Sequence, residues 1–319
     1  MTLSPHLHDD PSLREVAVGV TTVWTSPEAP RDLDEAAVRD LPDPRAWADS
    51  MDKDVRLGLH GRTETQLLMG EPVLVLEERG AWSRIIAPWQ PSSGDERGYP
   101  GWVLGEHLAS PVPRAPGAYA MVVAASADAR VGDTTVELSF ATRLQVGELS
   151  DQTATLLLPG DRHATMGLDG LRLDGTGEAP VFQPDQVLVA ARQFLGLPYL
   201  WGGTSAWGMD CSGIVHLVFR SLGVQVPRDA HDQAAAMQDV PLDDVRPGDL
   251  YFFAPPGEEI THVGFASRPV AADGTRWMLH APETGQVVEE SPFAPHRSAN
   301  LLSAGRVIAL QPRCPGMGA

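Results

Sequence analysis

The chemistry-bearing residues of this 319-residue chain gather in its last third: Cys211, His262 and His280. A thiolate is a nucleophile, an imidazole can take a proton and return it, and a second polar group can orient the first ring. Cys211 stands in the run Asp210, Cys211, Ser212, Gly213, after a stretch rich in glycine and aromatics. Behind it Ile214, Val215, Leu217, Val218 and Leu222 recur at helical spacing, which predicts a buried helix face. The thiol therefore sits at a loop-to-helix junction, where the helix dipole and unpaired N–H groups favour the thiolate. A lone cysteine is more often a small buried hydrophobe, but the polar, tight surroundings here favour a functional thiol. His262 lies in ITHVGFAS and His280 in RWMLHAPE, two strand patterns separated by the turn AADGT. A β-hairpin brings them together, with their facing set by register. Each histidine alone is more often structural; a cysteine and two histidines in this order carry more weight.

The elements that must position these groups can be read around them. Residues 185–196 form an amphipathic pattern with Asp185 at the N-cap and Gly196 as the stop. A second helix is expected from near Arg228, then a turn at Pro247 and Gly248 and a strand over residues 250–253. His216 and His231 fall on helices and read as structural or surface residues. Upstream the signal is β. Residues 16–24 are β-branched, and short strands follow at 65–69, 72–77, 82–87 and 98–108, separated by glycine turns. Residues 32–51 read as one or two short helices broken by Pro42 and Pro44. This region predicts a small β-barrel with a helical insertion. Residues 111–116 and 175–180 read as linkers. Between them, residues 117–180 show the strand density of a second small barrel without a sharp internal repeat. His163 in that stretch has no nameable partner.

Composition is that of a globular protein, 43% hydrophobic and 21% charged, with a net charge of −18. That field repels phosphate backbones and anionic lipid, so neither nucleic acid nor a membrane surface is an expected partner. Two cysteines, Cys211 and Cys314, give no disulfide framework, and Cys314 reads as incidental. His6 and His8 form a lone His-x-His without a third ligand nearby. No P-loop, no GxGxxG after a strand and no HExxH is present, so no metal, nucleotide or flavin is expected. The first residues lack the pattern of a secretory signal, and the longest apolar run, residues 118–125, is far shorter than the roughly 18 residues of a membrane span. A reduced, cytoplasmic protein is the expectation.

The assembled pattern resembles the NlpC family of papain-like cysteine peptidases, which cleave peptidoglycan peptides. The match is carried by PYLWGG (198–203), DCSG (210–213), VPR (226–228), PGDLYFF (247–253), HVGF (262–265) and LHA (279–281), in family order. It implies Cys211 as nucleophile, His262 as base and His280 as the orienting residue. The oxyanion donors it implies are the Cys211 backbone N–H and Tyr199. GEPVLVLEERGAWSRI followed by GYPGWVLGEHL likewise resembles a bacterial SH3-like domain. The implied architecture is multidomain α+β: two small SH3-like β-barrels followed by a papain-like α+β cysteine peptidase domain. The expected boundaries are a tail over 1–14, an SH3-like domain over 15–110, a second over 111–180, the peptidase domain over 181–312 and a tail over 313–319.

This arrangement is similar to that of the γ-D-glutamyl-L-diamino acid endopeptidases, also called dipeptidyl-peptidase VI. The resemblance implies a murein stem peptide as substrate, cut at the γ-D-Glu–diamino acid bond, with the first SH3-like domain walling the cleft so that only a free L-Ala amine fits. A buried ammonium needs carboxylate and hydroxyl acceptors. Asp210, Tyr99 and Glu64 are the candidates, with Glu71 a weaker alternative to Glu64 and Ser212 either contacting the substrate main chain or capping the helix. Two other readings stay open: a peptidoglycan-binding protein with an inactive thiol domain, and an acyltransferase or amidase using the same thiol. The preferred diamino acid, the oligomeric state and the role of the second barrel are not legible.

Overall fold

The computed structural model describes residues 7, 9–113, 117–175 and 182–308. His6, His8, Cys314, residues 114–116 of the first expected linker and 176–180 of the second lie outside these residues. The chain begins as a β-rich region. Strands β1 (Leu13–Val16), β2 (Val20–Trp24), β3 (Thr63–Leu68), β4 (Pro72–Arg79), β5 (Trp82–Ala87), β6 (Tyr99–Leu104) and β7 (Leu108–Ala109) form one antiparallel sheet in the order β3-β2-β6-β5-β4-β1-β7. Its buried side chains include Val16, Val23, Leu67, Val73, Ile85 and Val103.

The next seven strands are β8 (Tyr119–Val122), β9 (Ser126–Val131), β10 (Thr134–Ser139), β11 (Arg143–Leu149), β12 (Thr153–Leu158), β13 (Arg162–Gly167) and β14 (Leu171–Asp174). Their order, β10-β9-β13-β12-β11-β8-β14, is the first sheet's order strand for strand. Even a register shift recurs in the matching strand, between Val75 and Glu77 in β4 and between Val146 and Glu148 in β11. Such bulges bend a strand and increase its twist. The repeat was hidden because a strand needs only alternation: Ala154, Leu156 and Leu158 of β12 point inward, and other apolar residues serve as well. The region is β-rich as expected, but SH3-like barrels are not confirmed: among the described residues both ladders run from one end strand to the other without closing on themselves.

Between β2 and β3 the chain makes three short helices, α1 (Glu35–Val38), α2 (Pro44–Asp49) and α3 (Lys53–Leu57). Pro44 opens α2 rather than breaking it, since the first helical turn has no use for its missing N–H. Asp43 and Asp52 cap α2 and α3 through Ala46 N–H and Val55 N–H at 2.8 and 2.9 Å. Helix α3, five residues and mostly polar, carries too little periodicity to be read from sequence.

The third region holds α4 (Gln186–Arg192), β15 (Thr204–Ser205), β16 (Gly208–Met209), α5 (Cys211–Ser221) and α6 (Ala230–Ala236). A six-stranded antiparallel sheet follows, built from β17 (Gln238–Val240), β18 (Leu250–Phe253), β19 (His262–Ala266), β20 (Trp277–His280), β21 (Glu289–Pro292) and β22 (Leu301–Arg306), in the order β17-β22-β18-β19-β20-β21. A short α7 (Pro295–Asn300) joins β21 to β22. Asp185 occupies the N-cap position of α4, although its side chain makes no capping hydrogen bond.

Helix α5 is buried on every face. Ile214, Leu217 and Val218 pack with Val187 and Phe194, with Phe265 and Leu279 of the sheet, and with Leu68 and Phe140 of the β-rich region. One core thus runs through all three regions. Its far end is held electrostatically. Arg220, near the end of α5, pairs with Glu71, both 1% exposed, and its guanidinium lies over the Trp89 ring at 5.2 Å. Removing one member of a buried pair strands the other's charge. Glu71→Ala should therefore cost about 3–5 kcal/mol in urea unfolding, whereas Arg45→Ala, breaking the exposed pair with Glu137, should cost under about 1 kcal/mol. Equal losses would contradict this assignment.

Candidate active site

Cys211 is the first residue of α5, and Asp210 is its N-cap, accepting Gly213 N–H at 2.7 Å. A second N–H, from Gly202, reaches the same carboxylate at 2.9 Å and fixes the 198–203 loop over the helix start. The approach is close enough to require glycine: a Cβ at Gly213 would lie 2.1 Å from Gly203 O. Tyr199 is buried in this loop, near enough to feel a charge on Cys211.

The two histidines meet through register. Phe265 pairs with Leu279 and Ala266 with Met278, so His280 falls opposite Gly264 and diagonal to His262 on the same face. Gly264 has no side chain to keep them apart; a Cβ there would lie 3.0 Å from that of His280. The rings close to 2.7 Å between His262 Nε2 and His280 Nδ1, edge to face at 82°. His280 Nε2 in turn lies 3.6 Å from Glu289 Oε1, its cross-strand partner. One tautomer set satisfies this chain: His262 donates from Nε2 to His280 Nδ1, and His280 points its own Nε2–H at Glu289. His262 Nδ1 is then left unprotonated, the form a base requires. The thiol, at the start of α5, lies against the strand that carries His262, since the Val263 N–H is directed at the Cys211 sulfur.

Charge is scarce at this centre. Burial, reinforced by the Asp210 charge, pushes the Cys211 thiol up to about 12 against the pull of the Val263 N–H and Arg228. The expected thiolate at the helix start is thus corrected: loss of water outweighs the helix dipole. Burial and then the Arg297 charge lower His262 well below its usual range and bring His280 down to about 3. Burial thus disfavours the thiolate and the imidazolium, each taken singly.

The wall facing this centre comes from the first sheet. Arg228, 1% exposed, donates from Nη1 and Nη2 to Asp210 at 3.0 and 2.6 Å, from Nη1 to Ser212 Oγ at 2.9 Å, and from Nε to Thr65 Oγ1 of β3 at 2.8 Å. The next residue, Asp229, accepts from Tyr99 OH of β6 at 2.9 Å. Glu64 of β3 is held above the usual carboxylate range by burial and by the Asp229 charge. Asp229 is likewise raised, first by burial. The helical insertion reaches the same loop: Arg56 donates to Tyr199 O at 2.8 Å, and His60 stacks on Trp201 at 4.0 Å.

Every named residue can now be located. Cys211, His262 and His280 converge; Tyr199 lies beside them; Asp210 and Ser212 are bound to Arg228. Tyr99 and Glu64 line the wall, whereas Glu71 is committed to Arg220. His216 is buried with Nδ1 against Val226 O at 2.9 Å, and His231 and His163 are exposed. Asp229 and Glu289 were missed. Asp229 had a signal, directly following the VPR motif; Glu289 had none before the β20–β21 pairing is known. Ligand atoms of Asp229, His231 and Asp232 lie within 4.8 Å of one another, but Asp229 already holds Tyr99 and Asp232 holds the Ser93 N–H. Among the described residues no helix is long and apolar enough to cross a membrane.

The lowered histidines have a readout. Their usual value is 6.5; below it the unfolded chain binds protons that the folded chain refuses. Stability attributable to them is therefore intact above 6.5 and falls as pH drops through lower values. NMR titration should find both rings neutral at pH 6. Replacing His280 by Gln should shrink the fall in unfolding free energy between pH 6.5 and 4. A ring midpoint at or above 6.5 would refute the assignment.

Comparison with known proteins agrees with this geometry. The NlpC/P60 family model matches residues 196–306. A Bacillus subtilis protein named gamma-D-glutamyl-L-lysine dipeptidyl-peptidase is 37% identical over 290 residues, covering 87% of this chain and 92% of that protein. A Bacillus cereus protein of the same name is 31% identical over 292 residues, covering 87% and 85%. The crystal structure of an NlpC/P60 family protein from Bacillus cereus superposes with a TM-score of 0.87 at 28% identity, covering 92% of this chain and 99% of that one. With a thiol at a helix start, a paired-histidine strand couple and relatives that match nearly end to end, the chain belongs to the NlpC/P60 family of cysteine peptidases.

Proposed function

We propose that this peptidase hydrolyses the γ-D-glutamyl–diamino acid bond of murein stem peptides that carry a free L-Ala amine. The observation that carries the reading is the wall cluster: two half-buried carboxylates, Glu64 and Asp229, both raised above their usual range, with the Tyr99 hydroxyl between strand and helix. Two carboxylates held this close out of water are relieved by a cation, and an ammonium with three donors suits three oxygen acceptors. The names of the Bacillus relatives support the same bond. Asp210 contributes to the wall through Arg228, and Ser212 holds Arg228 and borders the substrate main chain.

In this reading His262 Nδ1 takes the Cys211 proton as sulfur attacks the γ-carbonyl carbon of D-Glu. The oxyanion is held by the Cys211 N–H and by Tyr199, whose hydroxyl keeps its proton because burial raises it well above its ordinary value. As the tetrahedral adduct collapses, the C–N bond breaks and His262 protonates the leaving amine. Water, deprotonated by His262, then cleaves the thioester and releases L-Ala-D-Glu. His280 keeps the His262 ring turned, with Glu289 behind it. Because the amine cluster and the thiol are both fixed, the dipeptide between them is measured from its free end. That amine is exposed only after the stem peptide has been cut from its glycan, which fits recycling of murein peptides.

Cys211→Ala should reduce cleavage of L-Ala-γ-D-Glu-L-Lys by at least about 1000-fold while leaving thermal unfolding cooperative. Retained turnover would sink the mechanism. N-acetylating the substrate, or pairing Glu64→Gln with Asp229→Asn, should lower kcat/KM by about 10- to 100-fold. Equal turnover of free and acetylated peptides would remove the amine from the recognition scheme.

A further inference from the structure

Near the two histidines stands a cation that the mechanism above does not use. Arg297 of α7 is half-buried. Its Nη2 donates to Pro282 O at 3.2 Å, two residues past His280, and its guanidinium lies 5.6 Å from the Phe253 ring centroid. Phe253 is the cross-strand partner of His262, and their rings are 5.7 Å apart. The guanidinium is thus anchored near both histidines, by the segment that follows β20 and by a ring of β18 that faces His262. Among the described residues no carboxylate forms an ion pair with it, in contrast to Arg192, Arg220, Arg228 and Arg306.

The position is costly without an anion. Burial disfavours the charge of Arg297, the Glu283 carboxylate offsets this from beyond ion-pair distance, and the Arg297 charge opposes protonation of both His262 and His280, although His262 must become imidazolium in the proposed reaction. A carboxylate placed on the guanidinium would offset both effects. The substrate brings such groups. Cleavage at the γ-carbonyl leaves the α-carboxylate of D-Glu and the free carboxylate of the leaving diamino acid on either side of the scissile bond. In the proposed reading the amine sits at the Glu64, Tyr99 and Asp229 cluster and the γ-carbonyl at the thiol, so the leaving residue continues past the thiol, and the cation beside the histidines that can meet its carboxylate is Arg297.

Building on the proposed activity, we propose that Arg297 anchors a substrate carboxylate next to the scissile bond, foremost the free carboxylate of the leaving diamino acid. Arg297 is then a specificity residue that makes the enzyme prefer tripeptides ending at the diamino acid over chains whose terminus is capped.

The test measures kcat/KM for wild type, Arg297→Gln and Arg297→Lys on three peptides: L-Ala-γ-D-Glu-L-Lys, its C-terminal carboxamide, and the analogue with D-isoglutamine in place of D-Glu. Wild type should favour the acid over the C-terminal amide by about 10-fold or more. In Arg297→Gln that ratio should collapse to within about 3-fold of unity, and Arg297→Lys should restore part of it. A merely structural role for Arg297 would lower all three rates together and leave the ratios alone. Collapse of the isoglutamine ratio instead would keep the carboxylate anchor and assign it to D-Glu. Unchanged ratios in a turning-over enzyme overturn the inference alone, whereas no turnover of the tripeptide by wild type overturns the activity reading and this inference with it.

Discussion

The buried ion pair between Asp210 and Arg228 is the constraint on which the catalytic region rests. One carboxylate caps α5, holds the Gly202 N–H of the loop above it and receives two hydrogen bonds from a guanidinium 1% exposed. The same guanidinium reaches Thr65 of the first sheet. Such a pair stabilises only when both charges are present and their remaining hydrogen bonds are met. Here they are met by the groups that must be held still: the helix start that carries the thiol, the loop that carries Tyr199, and the strand that carries Glu64. A carboxylate beside a buried thiol would otherwise oppose any thiolate. Arg228 offsets that repulsion.

The same bookkeeping applies to thiol and imidazole. Each charge alone is disfavoured by burial, so neither a lone thiolate nor a lone imidazolium is favoured at this site. What the site stores is orientation. The 2.7 Å contact between the rings, made possible by Gly264, fixes His262 so that one proton transfer creates both charges at once, next to each other. Simultaneous creation costs less than either charge in isolation, because each is the other's counter-ion.

The chemistry of the last third was legible because it depends on residue type at short range. A cysteine in a polar turn before a helical pattern and two histidines on neighbouring strands survive any uncertainty about the rest. The electrostatics were not legible: nothing local to Cys211 announces that a buried position outweighs the helix dipole. Partners across the chain were hidden for the same reason. Glu289 meets His280 only through the β20–β21 register, and Thr65 meets Arg228 across 163 positions. Asp210 read as a free acceptor because its partner, eighteen residues on, was seen only as part of a motif. The doubled sheet order escaped because strand alternation tolerates so many sequences that topology can repeat where residues do not.

These long-range partners also explain why the β-rich region and the peptidase region form one unit. Gln66 and Thr204 exchange three hydrogen bonds between β3 and β15, Arg56 holds Tyr199 O, Glu71 holds the far end of α5, and Leu68 and Phe140 enter the core around that helix. A cleft lined from both sides needs its walls fixed to within a hydrogen bond of each other, or a substrate measured from its amine would not present the same atom to the sulfur each time. Burying Arg220 and Arg228 against carboxylate and hydroxyl partners from the first sheet supplies that rigidity. Separating the regions would leave Arg220 without its counter-ion and Arg228 without its Thr65 anchor. The wall is therefore held as one unit with the region that carries the thiol, and the proposed specificity for a free end requires that rigidity.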